Sequence, residues 1–191
     1  MLQFLYQVFF TYWQVLCFKR TPKDTPNSLF MLGVAFLLSL GITALQMGLA
    51  LGIQDKPGSL LEGMIFPLVQ VLLFWAYLQF ILWVFNKQKF AIIIMTNWLM
   101  MLFFLDSLAL LFMLLIVAIK IIGGVAALTS IMMYISIFFG LLFSIWQVSF
   151  SVQLLKTFID KPIFQVGLLY LGWIGINFLL ILAIKQLFHM G

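Results

Sequence analysis

Long apolar runs alternate with short polar breaks along the whole chain. Runs at about 28–53, 64–85, 90–119, 125–155 and 163–188 each reach or exceed the ~20 residues that a helix needs to cross a bilayer. They predict five transmembrane helices. The breaks between them carry the punctuation. Lys19 to Asn27 holds two prolines and four charges, which end a helix and make an elbow. Asn27 or Ser28 is placed to cap the helix that follows. Gln54 to Gly63 contains Pro57-Gly58, and Asn86 to Lys89 is a tight basic turn. Gly123-Gly124 breaks the chain again, and Lys156 to Pro162 is the last turn. Pro67 is expected in the first turn of the second span, where proline is tolerated. The fourth run is longer than a span needs. Its Ser- and Gln-richer part, Ser144 to Gln153, is expected to leave the hydrocarbon and to follow the interface or pack under the bundle.

Residues 2–18 have a different pattern. Gln3, Gln7, Thr11 and Gln14 recur at helical spacing on one face, with Leu5, Phe9, Val15 and Leu16 elsewhere and Tyr6, Tyr12 and Trp13 as interfacial aromatics. Such a segment reaches only ~25 Å as a helix. An amphipathic helix lying in the membrane interface fits it better than a sixth, short span. The chain therefore reads as all-α: a polytopic transmembrane helix bundle of five spans plus an N-terminal interfacial helix, forming one integral membrane domain over 1–191.

Composition supports this. The 191 residues are 65% hydrophobic and 8% charged, too few polar groups to cover a soluble domain. The lipid bilayer is thus the first partner. The net charge of +5 does not indicate nucleic acid, because the bases stand at the ends of apolar runs. Lys19, Arg20, Lys23, Lys87 and Lys89 are expected to contact lipid head groups. With a cytoplasmic N-terminus, Lys19, Arg20, Lys23, Lys87, Lys89, Lys156 and Lys161 lie inside, and Lys56, Lys120 and Lys185 lie outside. The positive-inside rule favours this N-in, C-out arrangement. Trp13, Trp83, Trp98 and Trp146 would form an aromatic belt on the inner side, and the methionines would fill irregular helix contacts. The bases follow the first apolar run, so no cleavable signal peptide is expected.

Few residues suggest chemistry. Gly41, Ala44, Gly48 and Gly52 recur at spacings of three, four and four, a small-residue stripe that lets two helix backbones approach in lipid. A neighbour in the same chain is expected there, with a second protein as the alternative. Asp106 stands near the middle of the third span. A charge at that depth costs ~3 kcal/mol. It is either a proton or cation site or a neutral acid hydrogen-bonded to neighbours such as Gln70, Gln79 or Asn177. No basic group falls at its depth. His189 and Cys17 lie at opposite ends of the chain, so no metal or other cofactor is implied, and one cysteine forms no intramolecular disulfide. No nucleophile elbow, phosphate-binding glycine loop or His-Glu-x-x-His is present. A non-enzymatic protein is expected.

The basic, proline-containing elbow from Lys19 to Pro26, followed by an aliphatic span (Thr21 to Leu32), together with five spans in N-in, C-out order, resembles the Yip-domain family. It also resembles small bacterial inner-membrane proteins of similar length and layout. The resemblance implies membrane organisation or assembly, and a bacterial inner-membrane location. It carries over no functional residue. The expected function is a scaffold, assembly or membrane-organising subunit that packs against other membrane proteins or itself. The alternative is a small transporter or channel component that uses Asp106.

Overall fold

The computed structural model describes the backbone of residues 2–26, 28–54, 60–121 and 126–189. Side chains are described for 6–26, 28–49, 65, 67–119, 134–183 and 186. Among the described residues six helices follow one another: α1 (Leu2–Leu16), α2 (Leu29–Gln54), α3 (Leu60–Val84), α4 (Ala91–Ile121), α5 (Ala126–Ile159) and α6 (Ile163–His189). Short 3-10 turns at Pro22–Asp24 and Gln88–Phe90 join α1 to α2 and α3 to α4. The described residues contain no strand. Five helices, α2 to α6, are long and apolar enough to cross a membrane. The 15-residue α1 is not among them, since it reaches only ~22 Å. Lipid explains this simplicity: a chain in hydrocarbon must satisfy its backbone within each helix.

The third span, α4, is the centre of the bundle. It packs against α1, α2, α3, α5 and the elbow. Between Ala91 and Met101 all its side chains but Ile92 are buried. A helix apolar all round can be enclosed in this way. Trp98 lies at the heart of this region, 1% exposed. Its ring stacks on Phe74 at 3.9 Å and meets Trp173 edge-on at 6.4 Å. Trp98 therefore belongs to the core and not to an interfacial belt, because α3 and α6 enclose it. Trp13 and Trp83 remain outward-facing.

α2 lies along α4. Met31, Ala35 and Ser39 are buried, and Thr43 continues the four-residue spacing on the same side. Gly33, Leu37, Gly41, Leu45 and Gly48 form the exposed side. α3 and α6 meet at Tyr77, whose hydroxyl donates to the Leu169 carbonyl. A Cβ on Gly172 would stand 2.8 Å from that hydroxyl oxygen, so this approach requires glycine.

The elbow is pinned beneath α4. Asn97 Nδ2 donates to Thr25 Oγ1 at 2.7 Å and to the Ile93 carbonyl at 2.8 Å. The Thr25 hydroxyl donates to the Pro22 carbonyl at 2.7 Å. Thr25 and Asn97 are both buried. α1 packs on α4 through its aromatic residues. Phe9 and Trp13, one turn apart, meet the adjacent residues Phe103 and Phe104 of α4.

Three helices stop in the same way. Phe18, Asn86 and Asp160 have φ of 57°, 59° and 55°, the left-handed conformation that closes a helix C-terminus. After α1 and α3 the closure is a full Schellman motif. Lys19 N–H donates to Gln14 O and Phe18 N–H to Val15 O; Lys87 N–H donates to Leu82 O and Asn86 N–H to Trp83 O.

Two details differ from the sequence-based expectation. α3 begins at Leu60, so Pro67 is inside the helix and not in its first turn. α5 continues unbroken to Ile159, and its spanning stretch runs over Tyr134–Ile159. Ser144, Ser149 and Thr157 donate to carbonyls four residues back at 2.8 Å each. Their hydroxyls are thus satisfied within the helix, so this stretch need not leave the hydrocarbon, and Phe150, Leu154 and Phe158 pack into the core.

Candidate functional site

Asp106 is the sixteenth residue of the 31-residue α4, so it stands midway along the helix. Its neighbours come from α2. Thr43 Oγ1 lies 3.3 Å from Asp106 Oδ2, and Gln46 Nε2 donates to the Asp106 backbone carbonyl. The Thr43 hydroxyl also lies 2.9 Å from the Ser39 carbonyl. The Thr43 hydroxyl thus stands between two acceptors, the nearer Ser39 carbonyl and the Asp106 carboxyl. The arrangement is a polar clasp between two helices.

Gln70, Gln79 and Asn177 are not among the hydrogen-bond partners of Asp106. Gln70 and Gln79 lie on α3 and Asn177 on α6, all half-buried. The Asn177 Oδ1 is buried without a hydrogen-bond partner. The expected polar lining from these amides is therefore replaced by Thr43 and Gln46. Their three-residue spacing, which puts both on one face of α2, was the available signal. Asn97 and Thr25 are a second buried polar pair that sequence reasoning passed over.

The described part of the small-residue stripe, Gly41 to Gly48, lies on the side of α2 opposite Thr43, away from the other described residues. Gly41 and Gly48 are exposed and Ala44 is half-buried. Nothing lies within 4 Å of where a Cβ on Gly41 would stand. With Leu45 and Leu49 these residues line a shallow outer groove on α2. At Gly41 the expected same-chain neighbour is not found among the described residues, because α2 turns its Thr43 face to α4. The surroundings of Gly52 lie outside the described residues.

The basic turns gather at one end of the bundle. Lys87 Nζ pairs with Asp160 Oδ2 at 2.8 Å. Lys23, Lys89 and Lys161 place their ammonium groups 5.9, 5.1 and 5.8 Å from the ring centres of Phe158, Phe90 and Phe85. The hydrogen bond from Lys87, then its charge, holds the Asp160 carboxyl below the usual carboxylate range. Lys19 and Arg20 are exposed at the end of α1 and form no ion pair among the described residues. The side chains of Lys56, Lys120, Lys185 and His189 lie outside the described residues. No group of three His, Cys, Asp or Glu able to hold a metal ion occurs among the described residues.

Comparison with family models, with curated proteins and with solved structures finds no match to this chain.

Proposed function

We propose that this protein is a non-enzymatic scaffold, assembly or membrane-organising subunit that holds a partner membrane helix on the outer face of α2. The observation that carries this reading is the outward Gly41–Ala44–Gly48 stripe, with open space where a Cβ on Gly41 would stand. In lipid, where apolar faces gain little by leaving one solvent for another, close backbone approach is a main route to helix association. The other face of α2 is already occupied by α4, so a helix seated on the stripe comes from another molecule or a second copy.

The transporter reading has less support. Asp106 is clasped between two packed helices, and Gln70, Gln79 and Asn177 do not join it in a polar path. The gathering of Lys19, Arg20, Lys23, Lys87, Lys89, Lys156 and Lys161 on one side supports a cytoplasmic N-terminus and an outer C-terminus. The likeness in layout to Yip-domain proteins, and to small bacterial inner-membrane proteins, agrees with a membrane-organising role in such a membrane.

The test is Gly41→Leu combined with Gly48→Leu, with crosslinking and mild-detergent co-purification at native expression. A Gly41 side chain enters open space and Gly48 is exposed, so thermal stability should hold while recovered complexes fall. Recovery of monomer alone from the unmodified protein would reject the proposal.

A further inference from the structure

Two cavities flank the C-terminal turn of α1, and they differ in character. One, of about 210 Å³, lies between the elbow and the last turns of α5. Val15, Phe150 and Leu154 make its apolar floor, and Lys19, Arg20 and Thr157 stand at its rim. No carboxylate lines it. Asp24, the acid nearest in sequence, accepts hydrogen bonds from the Thr21 N–H and hydroxyl instead. Arg20 is the one arginine of the chain, and its planar fork binds two oxygens of a phosphate where a lysine offers a point charge. Phe18 holds a left-handed backbone despite its bulky side chain.

The second cavity, of about 180 Å³, is almost wholly apolar, with Trp13, Phe104, Leu108, Phe143 and Trp146 on its walls. On α5 it sits about ten residues further from the basic end, ~15 Å along the helix. The two are joined by aromatic rings. Trp146 stacks on Phe150 at 5.7 Å, and Phe150 meets Phe18 at 6.1 Å. The cationic pocket thus lies at the bundle end and the apolar slot nearer the membrane centre, on the two sides of the last turn of α1, with the buried Phe150 ring in the wall between them. This is the shape of an amphiphile with an anionic head.

We propose that the C-terminal end of α1 binds one anionic phospholipid, its phosphate beside Arg20 and Lys19 and an acyl chain in the slot between α1, α4 and α5. The inference deepens the membrane-organising reading and rests on it only for the surrounding bilayer. It turns a diffuse basic face into one defined site.

The experiment uses the full chain in mild detergent. Thermal unfolding and native mass spectrometry are recorded with phosphatidylglycerol, with phosphatidylcholine and with inorganic phosphate. Phosphatidylglycerol should raise the midpoint and remain as one bound molecule, while the other two do neither. Arg20→Gln should weaken that binding about tenfold, the loss of one charge-assisted contact. Leu108→Trp, which fills the slot, should weaken it with Arg20 intact. Lys161→Gln, at the same end but lining neither cavity, should change it less than twofold. The lipid-free midpoint of each variant checks folding, and Arg20→Lys should recover part of the affinity. Equal losses from Arg20→Gln and Lys161→Gln would mean diffuse charge attraction and overturn the site. So would equal binding of phosphatidylcholine. Protection by inorganic phosphate alone would assign the pocket to a soluble phosphate and overturn the lipid. Partner crosslinking through Gly48 does not use this site, so its failure and the failure of lipid binding are separate results.

Discussion

Lys87 Nζ lies 2.8 Å from Asp160 Oδ2, and this pair ties the turn after α3 to the turn after α5. It closes the basic end around α4. The Asp160 carboxyl is held below the usual carboxylate range, by the hydrogen bond from Lys87 first and by its charge second. A depressed carboxyl contributes stability that is fully present above its unfolded value, ~3.9, and is lost as pH falls through the lower folded value. The unmodified protein should therefore lose thermal stability below about pH 4 more steeply than Lys87→Met. The difference should be small, because the pair is exposed, and should shrink further at high salt. Unfolding midpoints from pH 7 to pH 3 in a non-ionic detergent test this; parallel curves would mean the pair contributes nothing.

At the contact between α3 and α6, Gly172→Ala brings a Cβ to 2.8 Å from the Tyr77 hydroxyl oxygen. The hydroxyl must then give up its bond to the Leu169 carbonyl or the helices must part. A loss of about 1–3 kcal/mol is expected. Gly167→Ala and Gly175→Ala, where a Cβ meets nothing within 4 Å, should cost little. In a Tyr77→Phe background the Gly172→Ala penalty should fall, since the clash and the hydrogen bond involve one oxygen.

The elbow offers a proteolytic readout. Asn97→Ala removes the 2.7 Å bond to Thr25 and leaves a small void beneath α4, a loss of about 2 kcal/mol. Freed of its anchor, the segment from Lys19 to Lys23 should open to trypsin, with cleavage after Arg20 several times faster than in the unmodified protein. An unchanged rate would mean that packing of Pro22 and Tyr12 alone secures the elbow.

The spans and the basic end were legible in the sequence because lipid imposes them: length and apolarity decide which segments cross, and lysines mark where they stop. The helix faces were not legible. In water a buried face is apolar and an exposed face polar, so periodicity reports orientation. Here the exposed residues Leu72, Phe138, Leu141 and Phe178 are as apolar as the buried Leu78, Ile94 and Phe150, and the pattern loses its meaning. Hence Trp98 reads like Trp83 although one is core and the other faces out. The same loss hid the neighbours of Asp106, because Gln70 and Gln79 carry the same polar signal as Gln46, and only the packing of α2 on α4 selects between them. Pro67 misleads for a different reason: α3 starts seven residues before it, at Leu60, within a stretch too polar to read as helix.

The clasp at Asp106 makes the last prediction. The Thr43 hydroxyl lies 2.9 Å from the Ser39 carbonyl and 3.3 Å from Asp106 Oδ2, so with its proton on Ser39 O a neutral carboxyl can donate across the longer contact. An amide can donate in the same place, and Gln46 bonds to the backbone carbonyl, which the substitution leaves intact. Asp106→Asn should therefore leave stability within about 0.5 kcal/mol of the unmodified protein. Asp106→Leu, which strands the Thr43 oxygen against α4, should cost about 1–3 kcal/mol. Thermal unfolding in detergent separates the cases, and proton or cation flux in liposomes adds a second axis. A loss above about 2 kcal/mol for Asp106→Asn would mean that Thr43 donates to an ionised carboxylate. If the substitution instead spares stability and abolishes a measurable flux, the transporter reading displaces the scaffold.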